Sequence, residues 1–365
     1  MRFFSIVSSL LFIVALSFPV RAEVLIGVAG PMTGNAAWYG EQMQRGAEMA
    51  VADINAASGL LGQNVQLITA DDFCDPEQAI AAAQHLINQG VIFVVGHFCS
   101  GASIAASEIY QAAGILQIST TSSNPMLTEL GRANVFRVTY RDDAAGILAG
   151  NYVADNWPGK KIAILHDNTT FGKGWADETR KQLERRGITE ITYESFVPGK
   201  GDYSTEMAGL QAADIGVLLI GGYHTEVALM VRAARSRGYL VQVMTGVTLA
   251  TEEFGLIAGT AGDGTLFMDP ADPRRRTEAA PVVERFRGEG FEPEGYTLYA
   301  YGAVEVWRQA VEKADSLDLQ EVIASLREHQ FDTVLGLIDF DEKGDLTVQN
   351  PVIYVWTGGD YTPLE

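Results

Sequence analysis

The chain has 365 residues, which suggests two domains of ordinary size, and its 47% hydrophobic and 20% charged composition is typical of a globular protein. Its 46 acidic residues outnumber its 26 basic ones, and the resulting net charge of −20 disfavours binding to nucleic acid or to anionic lipid. With two cysteines, Cys74 and Cys99, it can form neither a disulfide-dense scaffold nor a four-cysteine zinc site.

The N-terminus has the pattern of a secretory signal. Arg2 precedes an apolar run over residues 3–20, which ends in the triplet Val20-Arg21-Ala22. We predict that residues 1–22 are a signal peptide cleaved after Ala22 and that the mature protein is exported. A membrane anchor is the alternative, disfavoured because the run contains serines and a proline and is short for a span.

Export makes a disulfide the favoured role for the two cysteines. In an oxidising compartment such a pair more often forms a disulfide than a metal or redox site. We expect Cys74 and Cys99 to be joined, closing a loop that would stabilise the fold by about 3 kcal/mol. Two buried free thiols are the alternative.

From Val24 onward the hydrophobic pattern alternates between strands and helices. In the first series we predict strand 24–29, helix 39–57, strand 65–69, helix 76–89, strand 91–95, helix 102–113, and strands 115–118 and 135–138. In the second we predict helix 144–156, strand 161–165, helix 174–186, strand 191–195, helix 205–213, strand 215–220, helix 225–236 and strand 241–244. Two such series predict an α/β fold with two doubly wound parallel sheets, each covered by helices on both faces.

The C-terminal third has too few elements to form a core of its own. Its predicted elements are helices 278–289, 299–313 and 319–328 and strands around 337–340 and 352–356. We expect them to complete the two lobes, so that the chain crosses a multi-strand hinge near 138–141, 267–269 and 335–340. The N-terminal lobe would comprise residues 23–139 and 269–336, and the C-terminal lobe residues 140–268 and 337–365.

A run of five hydroxyl residues, Ser119 to Ser123, is the most informative local feature. It follows a predicted strand, and ligands of open α/β sheets bind beyond the carboxyl ends of strands. The hydroxyls would either cap the short helix after Asn124-Pro125, leaving its N–H groups free for an anion, or form an ordinary polar turn. Together with Ser100 after the neighbouring strand, the run predicts a carboxylate cradle.

Aromatic residues also cluster at predicted strand ends. They are Trp38, Tyr39, Phe98, Phe171 and Tyr223. Each alone is more typical of core or interlobe packing. As a group at one edge, they favour the wall of a small-molecule pocket.

Catalytic, metal and nucleotide sites have little support. Residues 101–105 resemble a nucleophile elbow, but Ser103 lies eight residues beyond Val95, inside a predicted helix, whereas an elbow serine directly follows its strand. The five histidines lack metal-ligand spacing, and the turn at residues 30–34 lacks both the Walker lysine and the dinucleotide-binding glycine order. We predict no metal, no cofactor and no enzymatic activity, with a serine hydrolase as the remote alternative.

Several motifs in the same order resemble the leucine/isoleucine/valine-type periplasmic binding proteins of ABC importers. They are VAGPMTG (28–34) with Tyr39-Gly40, ADIN (52–55), DDFCDP (71–76), GHFCS (96–100), HD (166–167), GGYHTE (221–226) and FDEKGD (340–345). The resemblance runs from about residue 24 to residue 356. It implies a periplasmic, two-lobed type I fold whose cleft closes on ligand, ABC permease subunits as partners, and a disulfide at Cys74 and Cys99. We also expect a monomer.

The resemblance implies roles for individual residues. Ser100 matches the serine that holds the ligand α-carboxylate, and Thr121, Ser122 and Ser123 match the stretch that grips carboxylate and ammonium. The matched pocket positions are Tyr39, Phe98, Cys99, Phe171 (often tyrosine in the family) and Tyr223, with Tyr296 near another pocket aromatic.

Val247 departs from the family pattern. It stands where the family has the acid that binds the ligand amine, counted without a gap from Met244. A buried ammonium without a counter-charge costs several kcal/mol. We therefore predict a small carboxylate ligand that lacks a nearby ammonium, such as an aliphatic or aromatic acid. Glu226 or Glu252 could move in as a substitute acid, which would restore amino-acid binding.

The hypothesis from sequence is an exported solute-binding protein that closes on its ligand and presents it to a membrane permease. Ser100 and Ser123 would fix the carboxylate from the first lobe, while Tyr223, Phe171 and Val247 close over it from the second. Two alternatives stay open: a ligand-sensing subunit for a sensor kinase or chemoreceptor, and a structural interaction protein without an interlobe pocket.

Overall fold

The computed structural model describes residues 23–364, so the predicted signal peptide, residues 1–22, lies outside the described residues. The first stretch of chain alternates strands and helices, because short β-branched runs are separated by longer segments with apolar residues at helical spacing. Its elements are β1 (Val24–Gly30), α1 (Ala37–Ala56), β2 (Val65–Asp71), α2 (Pro76–Gln89), β3 (Phe93–Gly96), α3 (Ser100–Ala113), β4 (Leu116–Ser119), α4 (Met126–Glu129) and β5 (Val135–Arg137).

The same alternation continues through the second stretch, which begins at the hinge. Its elements are α5 (Asp142–Asn156), β6 (Ile162–His166), α6 (Thr170–Arg185), β7 (Thr192–Ser195), α7 (Ser204–Ala212), β8 (Val217–Gly221), α8 (His224–Ser236), β9 (Gln242–Thr245), α9 (Glu252–Ala258) and β10 (Leu266–Asp269). The remaining chain forms α10 (Ala280–Gly288), α11 (Thr297–Ala314), α12 (Leu319–Glu328), β11 (Phe331–Thr333), β12 (Gly336–Ile338), β13 (Val352–Thr357) and β14 (Asp360–Pro363).

The first lobe is built on a five-stranded parallel sheet in the order β2-β1-β3-β4-β5. Strand β1 pairs with both of its neighbours, and Val28 lies opposite Thr69 on one side and Val95 on the other. Both Val28 and Val95 are fully buried, as expected for a parallel sheet covered on both faces.

The second lobe has a seven-stranded sheet in the order β14-β13-β10-β9-β8-β6-β7. Strands β10 to β7 in this order are parallel, whereas β13 and β14 are antiparallel to their neighbours. The predicted two-lobed α/β fold is confirmed, and the antiparallel pair is an addition that the strand-helix alternation does not reveal.

The C-terminal helices return to the first lobe. Helix α11 lies against α1 so closely that a Cβ atom on Gly46 would overlap the carbonyl oxygen of Thr297. Trp307 of the same helix stacks on Phe93 of β3, with ring centroids 4.9 Å apart. Helix α11 therefore packs on elements of the first lobe.

A hydrogen bond joins the first two crossings between the lobes, and a hydrogen bond and an ion pair join the chain near the third crossing to the first lobe. The Tyr140 hydroxyl in the first crossing donates to the Met268 carbonyl at the second, at 3.0 Å. Near the third crossing, Arg137 of β5 pairs with the buried Asp345 and donates its backbone N–H to the Gly344 carbonyl. Because residues 344–345 bond to the first lobe, we propose that the third crossing follows residue 346 rather than residue 336.

Candidate functional site

A small cavity lies between the lobes, at the carboxyl ends of the parallel strands. The first lobe contributes Phe98, Ser100, Thr121 and Tyr296, and the second contributes Phe171, Tyr223, Val247 and Thr248. Its volume is about 10 Å³, which is room for about one water molecule. The lobes are therefore closed on each other, and a larger molecule enters only when they separate.

The structure brings seven of the predicted site residues together in this cavity wall. They are Phe98, Ser100, Thr121, Phe171, Tyr223, Val247 and Tyr296. The other four, Tyr39, Cys99, Ser122 and Ser123, are buried but are not among the lining residues. Sequence reasoning missed Thr248, because its place follows from the fold of the turn after β9 and no local motif marks it.

The hydroxyl run folds back onto the end of β3. The Thr121 and Ser122 hydroxyls donate to the Phe98 carbonyl at 2.7 and 3.0 Å, and the Ser119 hydroxyl accepts from the Ser122 N–H at 3.0 Å. The run therefore does not cap α4, whose start is held by the Asn124 side chain. Its bonds instead fix the cradle, by which we mean Ser100 together with residues 121–123.

Ser100 and Ser123 keep hydroxyl protons available. Ser100 is the first residue of α3, and its oxygen accepts from the Asn124 N–H at 3.4 Å, which leaves its own proton free. The buried Ser123 hydroxyl has no hydrogen-bond partner among residues 23–364. Buried hydroxyls of this kind are costly unless they meet a partner, and an incoming carboxylate would supply one.

Arg137 supports the cradle from behind. Its guanidinium is fully buried and donates to the carbonyls of Ser122 and Asn124, at 2.9 and 3.0 Å. Asp345 pairs with the same guanidinium. Arg137 thus fixes the backbone on both sides of Ser123, and the spacing of sequence motifs gives no sign of this role.

The second-lobe wall depends on a close backbone approach. A Cβ atom on Gly221 would overlap the carbonyl oxygen of Gly172, so glycine is required where β8 passes α6. This approach places Phe171 and Tyr223 side by side, with ring centroids 5.4 Å apart. Burial raises the pKa of Tyr223 well above its ordinary value, so its phenol stays protonated and can donate a hydrogen bond.

The predicted disulfide is present beside the cavity. Cys74 and Cys99 are joined, with their Cα atoms 5.3 Å apart, and Cys99 directly precedes Ser100. The Tyr223 hydroxyl lies 3.8 Å from the sulfur of Cys74. The bond therefore ties the start of α3 to the loop after β2, next to the residue that closes over the cradle.

Tyr39 joins the two lobes directly behind the cavity wall. Its ring stacks on Phe98 with centroids 4.3 Å apart. Its hydroxyl lies 2.6 Å from Nδ1 of His224 and donates to the Thr248 carbonyl at 2.9 Å. Both partners belong to the second lobe, so these bonds exist only while the lobes are closed.

Glu294 makes a second interlobe contact. Its carboxylate accepts from the Trp38 indole of the first lobe at 3.0 Å and from the Glu252 backbone N–H of the second lobe at 3.0 Å. A third bond runs from the Asn124 amide to the Thr170 carbonyl at 2.8 Å. Closure is thus supported by polar bonds on several sides of the cavity.

No carboxylate belongs to the described residues that line the cavity. Val247 is 3% exposed there, and its carbonyl accepts from the Tyr296 hydroxyl at 3.4 Å. Glu226 is held by the Gly199 N–H at 3.0 Å, and the side chain of Glu252 is exposed. Neither carboxylate reaches the cavity wall beside Val247. The structure therefore does not support Glu226 or Glu252 as the acid that pairs with a ligand ammonium.

The geometry agrees with the comparison to known proteins. The family model described as "Periplasmic binding protein" matches residues 23–360. The chain belongs to this family. The Leu/Ile/Val-binding protein homolog 1 of Brucella suis is 42% identical over 348 residues, which cover 95% of this chain and 94% of that one.

Solved structures of binding proteins share the fold. The leucine-binding protein LivK of Thermotoga maritima has a TM-score of 0.86 at 25% identity, covering 94% of this chain and 98% of that one. LivJ of Streptococcus pneumoniae, solved with isoleucine, has a TM-score of 0.84 at 25% identity, covering 94% of this chain and 100% of that one. Proteins of this family bind substrates for transport, and the family is periplasmic.

The serine hydrolase alternative lacks its geometry in this periplasmic binding protein. Ser103 lies inside α3, where its hydroxyl contacts the His97 carbonyl at 3.1 Å and the Ser122 hydroxyl at 2.6 Å. The His97 imidazole is instead engaged by Asp72 at 2.6 Å and by Tyr110 at 3.0 Å. Among residues 23–364, no imidazole is therefore placed to take a proton from Ser103.

Within residues 23–364, no group of three or more histidine, cysteine or acidic side chains is arranged to hold a metal ion. Nor does any helix in that range have the length and apolar character needed to cross a membrane.

Proposed function

We propose that this periplasmic binding protein captures a small carboxylate-bearing ligand between its lobes and delivers it to an ABC importer. The supporting observation is the closed cavity, in which hydroxyls of the first lobe face aromatic side chains of the second. Ser100, with Thr121 and Ser123 beside it, binds the carboxylate in this proposal. Phe171, Tyr223 and Val247 then cover the rest of the ligand.

Closure around the ligand follows from the interlobe contacts. A cavity of about 10 Å³ admits no organic acid, so the ligand first binds to an open form. It touches both lobes only after closure, which gives it a higher affinity for the closed state. The bonds of Tyr39 and Glu294 form at the same time and add to this preference.

The chemistry of the wall favours an acid without a nearby ammonium. Val247 offers methyl groups where an ammonium would need a counter-charge, and Phe171 has no hydroxyl. Leucine and isoleucine, the amino acids associated with the similar proteins LivK and LivJ, share a carboxylate and a branched aliphatic chain with such acids. Isocaproate, which is leucine without its amino group, is therefore the most informative probe.

The transport role completes the proposal. Residues 1–22 act as a cleaved signal peptide, and the mature monomer presents its closed form to the permease subunits. It performs no chemistry on the ligand. A sensor kinase or chemoreceptor as the partner is the alternative, and neighbouring permease and ATPase genes would favour transport.

Calorimetric titration with leucine, isoleucine, valine and their deaminated counterparts tests the proposal. We expect a deaminated acid to bind with 1:1 stoichiometry and to raise the melting temperature. If leucine, isoleucine or valine binds tightly and the deaminated acids do not, the interpretation of Val247 is wrong. If no carboxylate binds, the proposed function is wrong.

A further inference from the structure

Asp142 is a buried carboxylate behind the cradle. Its side chain is 0% exposed, and neither carboxylate oxygen has a hydrogen-bond partner among residues 23–364. Its backbone N–H donates to the Ser123 carbonyl at 2.8 Å. An interaction with the Ser123 hydroxyl lowers the pKa of this carboxyl group, although the two side chains do not form a hydrogen bond of full geometry. Two buried polar groups with unused hydrogen-bonding capacity therefore lie side by side.

The charges around Asp142 do not neutralise it. Its pKa is raised to about 7, chiefly by burial and to a smaller extent by the charges of Asp143 of α5 and Glu178 of α6. Arg137 of β5 lowers it, but that guanidinium is already paired with Asp345. The other titratable groups facing Asp142 are the phenols of Tyr140 and Tyr223, whose pKa values it helps to raise.

We infer that Asp142 is a positioning residue whose protonation is coupled to ligand binding through Ser123. The inference rests on the proposed function. When a carboxylate enters the cradle, Asp142 takes up one proton from solvent. Its carboxyl O–H then donates to the Ser123 oxygen, and the Ser123 hydroxyl donates to the ligand. Apart from the O–H bond that this proton forms on Asp142, no covalent bond changes, and up to one proton is bound for each ligand bound.

The reason is the cost of two neighbouring anions in a buried site. An ionised Asp142 would accept the Ser123 proton, which leaves Ser123 only lone pairs to offer to a second carboxylate. Protonation removes the repulsion and reverses the hydrogen bond. A ligand that placed an ammonium against Ser123 would do the opposite and keep Asp142 ionised. The direction of proton exchange therefore reports the charge of the group in the cradle.

Isothermal titration with isocaproate, in buffers of different ionisation enthalpy, measures this exchange. We expect proton uptake that approaches one per ligand near pH 8 and falls towards zero near pH 5.5, as Asp142 becomes protonated before binding. The affinity weakens by up to about tenfold per pH unit above about pH 7. Asp142→Asn abolishes the uptake and flattens the pH profile, whereas the matched Asp143→Asn variant, which removes one charge that raises the pKa of Asp142, retains the uptake and a sloping profile shifted to lower pH.

Each outcome decides a separate claim. Isocaproate binding without proton uptake, or with proton release, overturns this inference and leaves the proposed function intact. Failure of every carboxylate to bind overturns the proposed function, and the inference falls with it. If Asp142→Asn does not fold, the coupling is tested by the wild-type pH profile together with the Ser123→Ala variant. We expect Ser123→Ala to bind isocaproate more weakly and with less than half of the wild-type proton uptake. Unchanged uptake in Ser123→Ala contradicts the coupling through Ser123.

Discussion

The Tyr39 hydroxyl lies 2.6 Å from Nδ1 of His224, and this contact joins the first lobe to the second. The same hydroxyl donates to the Thr248 carbonyl, also in the second lobe. Because both partners are reached only in the closed form, the hydroxyl contributes to closure and therefore to ligand affinity.

Removing that hydroxyl tests its contribution. Tyr39→Phe leaves the His224 ring and the Thr248 carbonyl without their partner, which destabilises the closed state by about 1–2 kcal/mol. We therefore predict that the Kd for the bound acid rises about 5–30-fold. Calorimetric titration measures the change. The matched control is Tyr110→Phe, which removes a hydroxyl bonded to His97 within the first lobe and is expected to lower stability but not affinity. Equal Kd values for Tyr39→Phe and wild type would contradict the assignment.

Ser100 is expected to carry much of the carboxylate recognition. Ser100→Ala removes a donor to a charged group, so the Kd should rise by a factor that corresponds to about 1.5–3 kcal/mol. Ser107→Ala is the control, because Ser107 is buried on the same helix and donates to the Ile104 carbonyl rather than facing the cavity. Equal affinities for Ser100→Ala and wild type would remove Ser100 from the cradle.

Position 247 is expected to set the preference between acids and amino acids. Val247→Asp places a carboxylate in the cavity wall, where it can pair with a ligand ammonium, and we predict that the ratio of leucine to isocaproate affinity rises at least about tenfold. Val247→Asn is nearly the same size without the charge and should shift the ratio much less. Competition titrations measure both. An unchanged ratio in Val247→Asp would show that the amine, if present, binds elsewhere.

The sequence predicts the lobes and most of the cavity wall, because strand-helix alternation and strand-end motifs are local. Seven predicted residues line the cavity, and the disulfide forms between the predicted cysteines. The remaining features depend on residues far apart in sequence. The Tyr39–His224 contact spans 185 positions and is created by lobe closure, which no local period encodes.

Two further features of the structure are not predicted from the sequence, because they too depend on long-range packing. The sequence pattern of β13 and β14 does not reveal that they are antiparallel to their neighbours. Strand direction is set by where the chain re-enters the sheet, and no local pattern encodes that point. Asp142 follows Arg141 at an ordinary helix start, and only the packing of α5 behind the cradle makes its carboxylate buried and unpaired.

The buried carboxylate of Asp142 also predicts a pH dependence of stability. Its folded pKa of about 7 exceeds the unfolded value near 3.9, so between these values the folded state binds the extra proton. The free energy of unfolding therefore falls as pH rises through this window, by up to about 1.4 kcal/mol per pH unit from this group. Other acids titrate too, so the informative quantity is the difference between wild type and Asp142→Asn.

Urea unfolding near pH 5 and near pH 7 measures that difference. We expect wild type to lose about 2 kcal/mol relative to Asp142→Asn between the two conditions. The Asp143→Asn variant, whose altered side chain is partly exposed beside Arg141, should keep the pH dependence of wild type with a small shift to lower pH. Parallel pH dependence of wild type and Asp142→Asn would mean that Asp142 is already ionised in the folded protein.

The central claim is that a ligand carboxylate is held between the lobes by the cradle. Its most direct test is a pair of calorimetric titrations of the wild-type protein, one with isocaproate and one with isocaproamide, which differ only in the charge and donor character of the head group. We predict that isocaproate binds and that the amide binds at least about 100-fold more weakly, a difference of about 2.7 kcal/mol. Equal affinities for the acid and its amide would contradict the account.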